Sequence, residues 1–278
     1  MKISIASGKG GTGKTTIAVN LAVSIPEDVQ LLDCDVEEPN CHLFLDLETE
    51  TCEKVFAPVP HIDLDKCTFC RKCADICRFK AIAVLEKTVL TFPELCHSCG
   101  GCMAVCPENA VTEVGRELGE LETGKFNHSS FAHGRLRVGE AMAPPLIKKV
   151  KSFIRTEAVN IIDAPPGTSC PVITTIKDTD FVLMVTEPTP FGLHDLKLAL
   201  GAVRLLGIPH GLVINRAGMG DERVEAYARE ENLPILMQIP FDRRIAETYS
   251  RGKLIVEEMP EWKERFTALF DNIRKWVR

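Results

Sequence analysis

Eight of the twelve cysteines fall into two runs of identical spacing, Cys67, Cys70, Cys73, Cys77 and Cys96, Cys99, Cys102, Cys106, each C-x2-C-x2-C-x3-C. Three thiolates on one tight loop can hold three corners of a cubane, while the fourth stands at the start of a helix and points away. Zinc also accepts four thiolates, but zinc ribbons pair two C-x2-C knuckles across a longer spacer, so the spacing favours iron–sulfur chemistry with zinc as the alternative. A second chemical signal lies at the N-terminus. There the apolar run Ile3–Ala6 leads into Gly8-Lys9-Gly10-Gly11-Thr12-Gly13-Lys14-Thr15 and then into the helical pattern Ile17, Val19, Leu21, Ala22. This is G-x4-G-K-T in a strand–loop–helix context. Glycines let successive backbone N–H groups converge on phosphate oxygens, and the helix N-terminus adds its dipole. Lys14 is expected to reach the β and γ phosphates and the Thr15 hydroxyl to ligate Mg2+.

Around the thiols, CRKCADICRFKAI and CGGCMAVCPENAV resemble bacterial two-cluster ferredoxins, each run ending in a small apolar, strand-like tail. Pro107 follows the second run as in that family, whereas Arg78 stands after the first. In two-cluster ferredoxins the fourth cysteine of a run serves the other cluster. The resemblance therefore assigns Cys67, Cys70, Cys73 and Cys106 to one [4Fe-4S] cluster, and Cys96, Cys99, Cys102 and Cys77 to the second. The isolated Cys34, Cys41, Cys52 and Cys170 are expected to be small buried or half-buried side chains.

Lys9 extends the N-terminal motif. The string KGGTGKTT resembles the deviant Walker motif of the MinD/ParA/Mrp group of ATPases, which includes the nitrogenase iron protein. The resemblance implies that Gly8, Gly10, Gly11, Thr12, Gly13, Lys14, Thr15 and Thr16 bind ATP or ADP, and that Lys9 reaches the nucleotide of the opposite subunit in an ATP-sandwich homodimer. It further implies that Asp35, in Asp33-Cys34-Asp35, orients the attacking water. Asp163, in Asp163-Ala164-Pro165-Pro166-Gly167-Thr168, would hold Mg2+ through water, and Asn215-Arg216 would contact the adenine. Lys9, Lys14 and Asp35 are then the expected catalytic set. A lone aspartate at a strand end is an ordinary turn residue. Two of them, in family order after such a loop, are not.

The elements that must position these groups alternate. Apolar strands at Ile3–Ala6, Val29–Leu32, Asn160–Ile162, Phe181–Val185 and Leu212–Ile214 are separated by helical patterns near Lys14–Ser24, Pro144–Ile154, Leu193–Leu206, Glu222–Glu231 and Glu261–Val277. The expectation is an α/β fold, a doubly wound, mostly parallel sheet with ligand groups at the C-terminal ends of its strands. An α+β bacterial-type ferredoxin domain is inserted after the Asp35 segment, dividing the chain into residues 1–57, 58–113 and 114–278. The Gly-, His- and Ser-rich stretch 115–139 reads as having no discernible role, with His128 and His133 as surface loop residues. The terminal helix carries Trp262, Phe266, Leu269, Phe270, Ile273, Trp276 and Val277 on one side. Relatives of MinD bind membranes with such a helix, but its slight basic excess favours packing on the sheet.

Composition fits a globular protein, with 45% hydrophobic and 26% charged residues among 278. A formal charge of −6 argues against a nucleic-acid partner recognised through its phosphates. No apolar run reaches the roughly 18 residues of a membrane span, and MKISIASGKGG lacks the pattern of a leader, so a cytoplasmic location is expected. The expected function is a dimeric ATPase switch that couples nucleotide state to electron transfer from two [4Fe-4S] clusters to a redox or iron–sulfur partner protein. One alternative is an iron–sulfur cluster carrier, although the C-terminal C-x-x-C of Mrp-type carriers has no counterpart after Cys170. The other is a positioning ATPase of the MinD/ParA type.

Overall fold

The computed structural model describes residues 1–277. Strand β1 (Lys2–Ala6), helix α1 (Lys14–Ser24) and strand β2 (Val29–Asp33) come first, followed by a 3-10 turn at Cys41–Phe44. Two long strands, β3 (Glu48–Ile62) and β6 (Val111–Phe126), bracket the cysteine segment, which contains α2 (Lys72–Ile76), β4 (Ile82–Val84), β5 (Val89–Thr91) and α3 (Gly101–Ala104). After β7 (Ser129–Leu136) helices and strands alternate: α4 (Ala143–Lys151), β8 (Val159–Asp163), α5 (Cys170–Ile176), β9 (Phe181–Thr186), α6 (Pro190–Leu205), β10 (His210–Ala217), α7 (Arg223–Glu230) and β11 (Ile235–Pro240). The chain closes with α8 (Arg243–Ser250), α9 (Ile255–Glu258) and α10 (Glu261–Val277).

Nine strands form one sheet in the order β11-β10-β9-β1-β8-β2-β7-β6-β3. From β11 to β7 the pairs are parallel, while β6 and β3 add an antiparallel flank. The central strands are apolar on both faces because helices cover both. Alternation along each strand divides the core. Leu31, Ile161 and Leu183 cluster with Ile17 and Leu21 of α1 and Phe266 and Phe270 of α10. Their neighbours Leu32 and Ile162 turn to Leu146, Ile147 and Val150 of α4. Val182 and Met184 turn to α5 and α6.

The terminal helix packs on the sheet. Trp262, Phe266, Leu269, Phe270 and Ile273 are buried, while Trp276 remains 51% exposed. Among the described residues no helix is long and apolar enough to cross a membrane. Phe266→Ala is expected to cost about 3–5 kcal/mol in chemical denaturation through the cavity it leaves. Trp276→Ala should stay within about 0.5 kcal/mol of the parent.

Three expectations need correction. The stretch 115–139 is the body of β6 and β7. Its strand glycines occur where neighbouring backbone or side chains approach closely: a Cβ at Gly119 would overlap the Arg135 carbonyl oxygen, and one at Gly134 would press on Leu146, Val150 and Val36. His133 is accordingly a buried strand residue, whereas His128 lies at the exposed β6–β7 turn. Of the isolated cysteines, Cys34 and Cys41 are buried but Cys52 and Cys170 are exposed, because Cys52 lies on the flanking strand β3 and Cys170 opens α5.

The ladder between β3 and β6 runs from Glu48↔Lys125 to Ile62↔Val111. Boundaries drawn at residues 57 and 113 thus fall inside these strands, and the cysteine segment hangs from their far end.

Candidate functional site

At the ligand edge of the sheet three strands end in register, Ile5 opposite Asp163 and Asp33 opposite Asp163. The loop leaving β1 turns into α1 through Gly11 at φ 75° and Gly13 at φ 94°, a left-handed path that glycine takes without strain. A Cβ at Gly13 would overlap the Asn215 side chain, and one at Gly8 would overlap the Asp195 backbone. Helix α1 has no side-chain cap and no acidic residue in its first turn, so its leading N–H groups stay available to an anion.

Lys14 is 6% exposed and is a charge partner of both Asp35 and Asp163. The Thr15 hydroxyl donates to Asp163 Oδ2 at 2.6 Å. Asp163 Oδ1 is buried with no hydrogen-bond partner. A buried carboxylate oxygen left free beside a threonine hydroxyl suits a hard, oxygen-seeking cation, so Thr15 and Asp163 fit Mg2+.

Asp33, which sequence reasoning treated as a companion of Asp35, clamps the loop that follows. It accepts from the backbone N–H groups of Asp35 (3.1 Å), Asn40 (2.9 Å) and Cys41 (3.0 Å). Cys41 Sγ approaches Asp163 Oδ2 at 3.6 Å, and the ligand atoms of Asp33, Cys41 and Asp163 all lie within 4.8 Å of one another. Burial, then the neighbouring Asp163, pushes the Asp33 carboxyl up to about 8. Burial pushes Asp35 up to about 7 against the pull of Lys14, with Asp163, Glu37 and Glu38 adding to the rise. Asp163 is raised by burial as well, resisted by Lys14 and by the Thr15 and Cys41 hydrogen bonds.

Carboxyls raised on folding hold extra protons in the folded state between their unfolded and folded pKa values. Their stabilising contribution is complete near pH 4 and is lost as the pH rises toward about 8. The nucleotide-free protein is therefore expected to melt at progressively lower temperature across that window. Saturating Mg-ADP should flatten the trend, since a cation at Asp163 replaces the proton as counter-charge, and calorimetry at several pH values with and without Mg-ADP checks it.

Of the predicted groups, Gly10, Gly11, Gly13, Lys14, Thr15, Thr16, Asp35, Asn215 and Arg216 line one cleft of about 1210 Å3, open to solvent, whereas Gly8, Lys9, Thr12 and Asp163 lie outside its lining. Asn215 Nδ2 donates to the Thr12 carbonyl at 2.8 Å, so it braces the glycine loop from the end of β10. Lys9 is bonded to Glu187, whose other oxygen takes Arg216 Nη1 at 2.9 Å. Partial burial works to raise the Glu187 carboxyl, but the Lys9 hydrogen bond and charge, with Arg216 and Thr189, hold it below the usual range. Glu187 was missed by sequence reasoning, as was the far wall of the cleft, Ile239, Pro240, Phe241, Ile245 and Tyr249. The position of Ile239 and Pro240 at the C-terminal end of a parallel strand was the available signal.

The eight run cysteines line two separate cavities. Cys67, Cys70, Cys73 and Cys106 share one; Cys77, Cys96, Cys99 and Cys102 share the other. None of the eight is joined in a disulfide. Backbone N–H groups point at sulfur at matching places: Phe69 to Cys67 and Ser98 to Cys96 at 3.4 Å, Ala81 to Cys77 and Ala110 to Cys106 at 3.3 Å. Four convergent thiols around a mainly apolar cavity, with N–H donors aimed at sulfur, fit a soft, thiolate-bound centre.

The family model for the CobQ/CobB/MinD/ParA nucleotide-binding domain matches residues 3–255. An uncharacterized protein of Methanocaldococcus jannaschii is 30% identical over 276 residues, covering 94% of this chain and 97% of its own. An iron-sulfur cluster carrier protein of Aquifex aeolicus is 26% identical over 282 residues, covering 93% of this chain and 62% of its own. Among solved structures, the septum site-determining protein MinD of Pyrococcus horikoshii OT3, complexed with Mg-ADP, superposes with a TM-score of 0.62 at 22% identity, covering 98% of this chain and 95% of that one.

Proposed function

The chain belongs to the CobQ/CobB/MinD/ParA nucleotide-binding family, and on that premise we propose that it is an ATP-hydrolysing dimeric switch whose nucleotide state governs electron transfer from two [4Fe-4S] clusters to a partner protein. The observation that carries this reading is topological. The strand β2 that delivers Asp33 and Asp35 pairs with β7, β7 with β6, and β6 with β3, and the two cysteine cavities hang from the β3–β6 ladder. A shift of the Asp35 loop is thus two strands away from the arm that bears the thiols.

In this reading Gly8–Gly13 and the first turn of α1 hold the phosphates through backbone N–H groups, and Lys14 neutralises their charge. Thr15 and Asp163 hold Mg2+, which would supply charge stabilisation at the β and γ oxygens. The Asp35 carboxylate accepts a hydrogen bond from water and aligns it for attack. Asn215 and Arg216 receive the base together with Tyr249 and Phe241. Lys9 leaves Glu187 to reach the nucleotide bound by the partner subunit. The thiolates of Cys67, Cys70, Cys73 and Cys106, and of Cys77, Cys96, Cys99 and Cys102, would hold the clusters that supply one-electron chemistry, the segment carried between β3 and β6 forming the inserted ferredoxin unit.

Anaerobic purification with iron and sulfide analysis, followed by EPR with and without Mg-ATP, tests this. About eight irons and eight sulfides per chain, with a reduced-cluster signal that changes on nucleotide binding, are expected. Zinc in place of iron, or signals blind to ATP, would sink the proposal. The printed name of the Aquifex relative favours a second reading, donation of a cluster to an apo-acceptor. Transfer of iron and sulfide to an apo-ferredoxin, faster with ATP than without, would establish that reading instead.

A further inference from the structure

The two cysteine runs are repeats in backbone as well as sequence. Phe69, Arg71 and Lys80 have φ of 55°, 66° and 55°, and the residues at matching places in the second run, Ser98, Gly100 and Asn109, have 52°, 71° and 51°. Each half is therefore a control for the other. The second half fills two of its left-handed positions with glycine and asparagine, which tolerate them. The first half fills the same positions with arginine and lysine, against their backbone preference. Extending the comparison, Lys72 stands where the second run has Gly101, and Arg78 where it has Pro107.

All four cations are exposed. Among the described residues the one ion pair within this segment joins Lys66 to Asp63, so none of the four has an acidic partner. Between Arg78 and Lys80, Phe79 is 44% exposed and stacks on His97 at 3.5 Å. The strip is continuous in the chain and touches both cavities: Arg71 and Lys72 line the first, Phe79 the second. Asp75 lies within it, Glu108 lines the first cavity and Glu113 the second, so the four cations of the strip outnumber these three acids in a chain whose formal charge is −6.

We propose that the strip from Arg71 to Lys80 is a docking surface for an acidic protein, the acceptor or donor of the electrons, and that it brings this partner over both cysteine cavities. The proposal rests on the electron-transfer reading above and names its partner by charge. Four exposed cations and one exposed aromatic ring on a strip of ten residues match the small, charge-steered contacts of transient redox pairs. Nucleic acid and anionic lipid recruit longer cationic tracts and are repelled by the acidic remainder of the chain.

The test is equilibrium binding of the anaerobically purified protein to four probes: an acidic flavodoxin, a basic cytochrome c, a short DNA duplex and phosphatidylglycerol vesicles. Flavodoxin is expected to bind most tightly, with an affinity that falls as salt rises. Arg71→Gly, Lys72→Gly, Arg78→Pro and Lys80→Asn together import the second run's residues and should weaken that binding roughly tenfold or more while lowering its salt dependence. Iron content and melting temperature should not fall, because the changes at 71 and 80 relieve left-handed strain. Arg71→Gly with Lys80→Asn alone serves if the fourfold variant is poorly folded. Unchanged flavodoxin binding by the variants, equal binding of cytochrome c, or tighter binding of DNA or vesicles overturns the proposal. An iron-loaded, reducible protein that ignores flavodoxin would defeat the docking surface and leave electron transfer standing, whereas a protein without clusters would defeat the electron-transfer reading itself.

Discussion

Replacing Lys14 by alanine is expected to abolish ATP-dependent dimerisation and to slow hydrolysis by roughly a hundred- to a thousandfold, the loss typical when one charge-stabilising group is removed from a phosphoryl or acyl transfer site. The structure gives the reason. Lys14 is nearly fully buried and is the cation that opposes the raised carboxyls of Asp35 and Asp163. Without it Asp35 and Asp163 lose the cation that opposes them, and bound Mg2+ must offset them alone. Lys14→Arg keeps the charge but puts a branched, planar head into a nearly buried position that holds a slim ammonium, so it should rescue little. Calorimetric titration with Mg-ATP and single-turnover hydrolysis give the two readouts, and iron content gives the control, because the cysteine cavities share no lining residue with the nucleotide cleft. If Lys14→Ala still dimerised with ATP and still reduced its partner at the parental rate, the coupling proposed between nucleotide and clusters would be wrong.

How far the sequence could be read depended on the range of the interactions involved. Helix α1 follows from a glycine loop and an apolar period, and its limits, Lys14–Ser24, agree between sequence and structure. The strands of the parallel core were visible as short apolar runs because both of their faces are covered. β6 and β7 were not, since Gly119, Gly124 and Gly134 read as loop residues until the close approach of neighbouring backbone and helix α4 is seen. Glu187 was hidden for a different reason. Nothing in the run Thr186-Glu187-Pro188 marks it, and its role arises from Lys9 and Arg216 arriving from distant parts of the chain. His133 was misread because its burial depends on β7 entering the sheet beside β2, a long-range pairing with no local signature.

The crossed ligand sets give the sharpest quantitative expectation. If Cys77 serves the cavity of Cys96, Cys99 and Cys102, then Cys77→Ser should lower iron from about eight to about four per chain, and the cluster lost should be the one built on the second run. Iron loss alone cannot tell crossed from uncrossed ligation, because either removes one cluster. Pairs of substitutions can. Cys77→Ser with Cys102→Ser strikes one cavity twice, so the double variant should keep about four irons, no worse than either single. Cys77→Ser with Cys73→Ser strikes both cavities, although the two residues belong to one run, and should leave almost no iron. Uncrossed ligation reverses the two results, so iron analysis of these double variants, with their EPR spectra, separates the arrangements. The outcome bears on the switch as well. In a crossed unit each cavity draws its fourth thiol from the other run, so the two cannot move independently, and any motion passed along the β3–β6 ladder must carry both clusters as one body.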